Sequence, residues 1–249
     1  MIMAETKAKG EMTFLDHLEE LRRRMIKSMI VVILFAAVAY YFSPFLVDAM
    51  SKPLTDVGVF FKAPQEAFIT HIKVAFFAGA IAAIPVVFYQ IWMFIGPGLL
   101  KSEIKIVIPI VISSTIFFAI GGGFCFFFVI PLAIKFLLGF ATDNMKPMIM
   151  IGDYISFVGA LVLAFGIVFE LPVASFILGR LGVIDHKMLS KGRRYAIVGI
   201  FVLAAFLTPP DVVSQVLLAC PLYLLYELSI LVVWLTGKKR RQEASPYQE

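Results

Sequence analysis

Val74-Ala-Phe-Phe-Ala-Gly-Ala-Ile-Ala-Ala-Ile-Pro-Val-Val-Phe-Tyr-Gln-Ile-Trp-Met-Phe94 runs for 21 residues without an Asp, Glu, Lys or Arg. An α-helix needs about 18 or more such residues to cross a ~30 Å hydrocarbon core. Strands of a lipid-facing barrel would instead alternate polar and apolar side chains, so this stretch reads as a membrane helix. Working outward, further apolar runs occupy residues 25–42, 106–130, 154–178, 195–207 and 216–235. The chain is therefore expected to be an all-α integral membrane protein with six transmembrane helices. Its composition agrees: 61% of the 249 residues are hydrophobic, 16% are charged, and the mean hydropathy is +0.93. The two cysteines, Cys125 and Cys220, lie inside apolar runs and do not look like a disulfide pair or metal ligands.

Six crossings place both termini on one side, and the cations decide which side. Seventeen of the 22 Lys and Arg fall in the N-terminal segment, the second and fourth loops and the tail, against five in the opposite loops and at Lys73. The positive-inside rule gives N-in/C-in. The net charge of +5 thus reports orientation and not a nucleic-acid surface. The organisation expected is a single polytopic domain over 1–249: a cytoplasmic segment 1–24, a bundle 25–237 and a cytoplasmic tail 238–249. The first run lacks the small-residue cleavage site of a secretory signal and reads as a retained helix.

Pro85, Pro109 and Pro172 each fall within a run and are expected to free a backbone carbonyl there. Gly79 and Ala83 have the small-residue spacing of close helix packing. The fifth run, 195–207, has only 13 residues before Thr208-Pro209-Pro210, about 20 Å of helix at 1.5 Å per residue. Such a span requires shielding by neighbours or a thinned bilayer.

Two acids lie inside runs, Glu170 and Glu227, where a carboxylate is a functional-site candidate by default. No cation falls at matching depth, so each is expected either to be a neutral acid bonded to a group such as Gln90 or to face a wet pocket or a partner helix. At the cytoplasmic side, Glu19 and Glu20 stand four residues before Arg23 and Arg24, and Glu103 follows Pro97. A carboxylate can take a guanidinium in a two-bond fork, which makes these acids candidates for a cationic ligand. Helical spacing does not separate Glu19 from Glu20.

Chemistry that the chain lacks narrows the class further. His17, His71 and His186 fall in separate segments, and no hydrolase elbow, zinc helix or phosphate loop is present, so no metal, cofactor or enzymatic activity is expected. A secondary transporter using Glu170 and Glu227 as relay acids is the competing class, weakened by the lack of an internal repeat.

Five stretches together resemble the TatC family of the twin-arginine protein translocase. They are His17-Leu-Glu-Glu-Leu-Arg-Arg-Arg24, Tyr89-Gln-Ile-Trp-Met-Phe-Ile-Gly-Pro-Gly98 running on to Glu103, Phe165-Gly-Ile-Val-Phe-Glu-Leu-Pro172, Arg193-Arg-Tyr195, and Leu207-Thr-Pro-Pro-Asp-Val-Val-Ser-Gln215. The resemblance implies a multi-pass receptor in the cytoplasmic (inner) membrane of a prokaryote, shaped as a concave bundle with short fifth and sixth helices. Such a receptor binds the twin-Arg signal peptide of folded cargo and recruits TatB/TatA-type single-span subunits for export driven by the proton-motive force. Its partners would also include the lipid bilayer and further copies of itself. Carried over by position, Glu20 and Glu103 match the arginine-recognition acids, and Arg22 and Phe94 match the same cytoplasmic face. Glu170 matches the acid of the concave side, Asp211 and Gln215 the outer cap, and Pro53 the first outer loop.

Overall fold

The computed structural model describes residues 14–54, 57–95, 107–142, 147–207 and 212–243. Among them the chain is helical, with one isolated bridge between Phe60 and Met150 and no sheet. The helices are α1 (Phe14–Tyr41), α2 (Ser43–Ser51), α3 (Pro64–Ile95), α4 (Val107–Phe124), α5 (Ile130–Leu138), α6 (Ile151–Val168), α7 (Leu171–Leu181), α8 (His186–Leu207) and α9 (Val212–Glu243). Five segments are long and apolar enough to cross a membrane: Leu15–Tyr41, Pro64–Phe94, Val107–Leu138, Ile151–Leu181 and Gln215–Thr236. The charged residues 16–24 are helical and continuous with the apolar part of α1.

Proline chemistry explains the interruptions. Pro85 sits inside α3, whereas Pro172 is the second residue of α7, where no intrahelical donor is lost; Pro109 is the third described residue of α4. Pro221, inside α9, is a second interior proline. Pro131 has no N–H to give to the Phe127 carbonyl, and the ladder widens just before it into a π turn over Cys125–Val129. The break at Phe169 and Glu170 divides α6 from α7. Gly182, at φ 77°, ends α7 in the left-handed conformation, with Val183 N donating to Leu178 O at 2.9 Å.

The helices pack as a row. α1 lies against α3, α3 also meets α4 and α6, and α7 and α8 both pack on α9. Close approach depends on small residues: a Cβ at Gly79 would overlap the Ala36 backbone of α1, one at Gly159 the Phe77 ring and one at Gly166 the Phe118 ring. Ala83, the other small residue of that pattern, is fully buried. The core centres on α6, with Ile155, Val158, Leu161 and Phe165 enclosed by Leu54, Val74, Ile130 and Leu222. Large apolar side chains such as Ile33, Phe127, Phe206 and Leu224 point outward, as hydrocarbon permits and water would not. Cys125 is buried and Cys220 exposed, and both are free thiols.

The last helix departs from expectation. α9 runs for 32 residues with a 22-residue apolar window, so a short sixth helix is not found. α8 has 22 residues, but its first half carries Lys187, Lys191, Arg193 and Arg194, and it does not qualify as a crossing by apolarity.

Candidate functional site

The charged end of α1 lies beside the end of α3. Arg23 Nη2 reaches Glu19 Oε1 at 3.5 Å with both side chains more than two-thirds exposed, a solvated pair of little energetic weight. The next pair meets far more tightly: Arg24 Nε and Nη2 donate to Glu20 Oε1 at 2.9 and 2.5 Å, with the side chains only 19% and 20% exposed. Arg24 Nη1 also donates to Gln90 Oε1 on α3 at 3.2 Å. The structure thus separates two acids that helical spacing left equivalent, because Glu20 faces α3 and Glu19 faces solvent. Gln90 is corrected in the same step: it serves Arg24 and not an intramembrane acid. His17 stacks on Phe94 at 4.3 Å between ring centroids, closing the same end, while Arg22 is exposed. Glu103 lies outside the described residues.

Deeper in the bundle, Glu170 occupies the cap position of α7, placed there by the break before Pro172. It is half-buried beside the Ser114 side chain and the Phe118 backbone of α4, and its Oε1 is buried without a hydrogen-bond partner among the described residues. The Trp92 indole donates to Ser114 Oγ at 3.4 Å, so α3, α4 and the α6/α7 break converge on one polar point. An apolar cavity of about 560 Å³ opens alongside, lined by Phe77, Pro85, Phe118, Gly122 and Gly159 among others.

Glu227 has the cation that the sequence reading denied it. Arg193 Nε and Nη2 donate to its two oxygens at 2.7 and 2.9 Å, a two-bond fork, and the Tyr223 hydroxyl donates to Oε1 at 2.8 Å. A relay acid open to protons is therefore not its state. At the far ends of these helices, Gln215 Nε2 donates to Phe201 O at 2.8 Å and ties α9 to α8. Pro53 lies half-buried in a short 3₁₀ turn over Lys52–Leu54. Asp211 lies outside the described residues.

One cluster escaped the sequence reading. Glu66 Oε1 accepts from Gly152 N at 3.2 Å and Oε2 from Lys62 N at 2.6 Å; Lys62 Nζ reaches Asp153 at 3.0 Å, and Lys73 Nζ donates to Gly152 O and Ser156 Oγ at 3.1 and 2.7 Å. The hydrogen bond to Asp153 holds the Lys62 ammonium above its usual pKa. These bonds clasp Lys62 and α3 to the first turns of α6.

Fold and site together define a polytopic helical membrane protein that gathers carboxylates at helix ends and breaks. Among the described residues no group of His, Cys, Asp and Glu has the arrangement of a metal site. The chain belongs to the TatC family: residues 16–221 match the family described as Sec-independent protein translocase protein (TatC). It is 41% identical over 232 residues to the Sec-independent protein translocase protein TatC of Desulforapulum autotrophicum, covering 91% of this chain and 86% of that one. Against the Escherichia coli K12 protein of the same name, identity is 39% over 238 residues, covering 92% and 91%. A crystal structure of the twin arginine translocase receptor TatC superposes with a TM-score of 0.81 at 40% identity, covering 88% of this chain and 99% of that one. The chain is accordingly a multi-pass inner-membrane component of a protein translocase, and not an enzyme. This membership sets aside the solute-transporter class.

Proposed function

We propose that the chain is the receptor core of the twin-arginine translocase, binding the paired arginines of a signal peptide on folded cargo at its cytoplasmic face. The observation that carries this reading is the Glu20 carboxylate, largely buried and already shaped around a guanidinium. Glu103 supplies the second acid, and Arg22, Phe94 and His17 border the same surface. A signal peptide brings two guanidinium groups and a modest apolar stretch, so its receptor needs acids at the interface and an apolar wall beside them. The chain crosses the membrane six times as a single domain, N-in and C-in, with α8 as the fifth crossing. Its apolar part, 195–207, favours a locally thinned bilayer.

Pro53, Asp211 and Gln215 form the outer cap. TatB/TatA-type single-span subunits dock within the membrane, further copies of this chain assemble beside it, and export draws on the proton-motive force. Glu170, with a bare buried oxygen, meets a polar side chain of such a partner helix. Photocrosslinks from position 170 are expected to reach a single-span subunit; crosslinks to lipid alone overturn that contact. For the receptor site, Glu103→Ala and Glu20→Gln are each expected to abolish binding of a twin-Arg peptide by the full chain in nanodiscs. Unchanged affinity in both variants places the site elsewhere.

A further inference from the structure

A guanidinium ordinarily meets a carboxylate through two parallel hydrogen bonds, one to each oxygen. Arg24 does otherwise: Nε and Nη2 both converge on Glu20 Oε1, while Nη1 turns away to Gln90. Among the described residues, Glu20 Oε2 has no hydrogen-bond partner, and it is buried. A buried acceptor without a donor is unfavourable, so the resident pair is only half made. Glu19 and Arg23 show what the same four-residue spacing gives when nothing but helix geometry acts, namely one 3.5 Å contact in solvent. Gln90, contributed by a different helix 66 residues away, holds Arg24 in its place.

We infer that Arg24 is an internal stand-in for the arginine of the ligand: an arriving guanidinium forks both oxygens of Glu20, releases Arg24 from the acid, and so must outcompete a bond the receptor already makes. The inference rests on the receptor reading above and adds the device that regulates that site. An arriving arginine gains the oxygen that Arg24 leaves bare. A lysine ammonium is a point donor and cannot form the parallel pair, so it begins weaker and meets the same competitor. The resident bond lowers affinity for both ligands by one factor, which carries the weaker ligand out of the working range without changing the ratio between them.

The test measures binding of labelled twin-Arg and twin-Lys peptides to the full chain in nanodiscs, for the wild type, Arg24→Gln, Arg24→Lys and Glu20→Gln. Arg24→Gln is expected to bind both peptides about threefold to tenfold more tightly, at an unchanged ratio. Arg24→Lys, which keeps the charge and loses the converging pair of bonds and the bond to Gln90, is expected to shift in the same direction by less, and it decides the sign should Arg24→Gln not fold. Weaker or unaltered binding of the twin-Arg peptide to the folded Arg24 variants, with binding still lost in Glu20→Gln, overturns the stand-in and leaves the receptor reading intact. Intact binding in Glu20→Gln overturns the stand-in as well, and with intact binding in Glu103→Ala it overturns the receptor reading too.

Discussion

Glu20 and Glu227 are each gripped by an arginine, yet the two pairs sit in different surroundings. The Glu20 pair joins α1 to α3 at a charged end, and one of its oxygens stays bare. In the Glu227 pair both oxygens are used and a tyrosine adds a third bond, which leaves no acceptor idle for a ligand. Its role is to fix α8 against α9. Arg193→Ala and Glu227→Gln are each expected to lower the melting temperature in detergent, and the double variant no further than the worse single one, because the two act as one unit. Additive losses would show that the side chains stabilise independently. The pairing does not follow from a simple register: the antiparallel alignment that sets Phe201 against Gln215 sets Arg193 against Tyr223, and the arginine reaches one turn further to Glu227. Assigning each span by itself concealed it, since Arg193 then appeared to stop at the membrane edge. The choice between Glu19 and Glu20 was not legible from spacing, because it depends on which side of α1 meets α3.

At the scale of the element, small residues set how closely helices approach, since lipid tails remove most of the hydrophobic drive between them. Gly79 touches the α1 backbone at Ala36, whereas Gly123 faces open space. Gly79→Ala is expected to push α1 from α3 and destabilise the bundle by about 1–3 kcal/mol. Gly123→Ala is expected to be near neutral, and a melting comparison of the two reads the difference; equal losses would contradict the packing account. Periodicity and composition found every long helix, because an uncharged run of about 20 residues has few other fates. They misjudged Pro172, since only hydrogen-bond geometry tells that it begins a helix while Pro85 and Pro221 lie inside theirs. The length of α9 was hidden for a similar reason: its helix continues past the apolar run into a basic tail.

Over the whole molecule, the polar groups fall at two levels and one break. The clasp of Glu66, Lys62, Asp153 and Lys73 binds the start of α3 to the start of α6. Glu20, Arg24, Gln90 and Phe94 gather at the opposite end of α3, and Glu170 stands between these levels at the α6/α7 break. Such an arrangement ties α3 to α6 at one end and to α1 at the other. Its recognition chemistry was visible in the sequence only as scattered acids until the TatC-like stretches ordered them, and the clasp was not visible at all, because its partners lie as far apart as 91 residues in the chain. The central claim is that the cytoplasmic face reads arginine by its forked geometry. It is tested most directly by the affinity of the purified chain in nanodiscs for a twin-Arg signal peptide and for its twin-Lys counterpart. The account expects tight binding of the first and at least about tenfold weaker binding of the second, the loss of one forked contact. Equal affinity for the two peptides would contradict it.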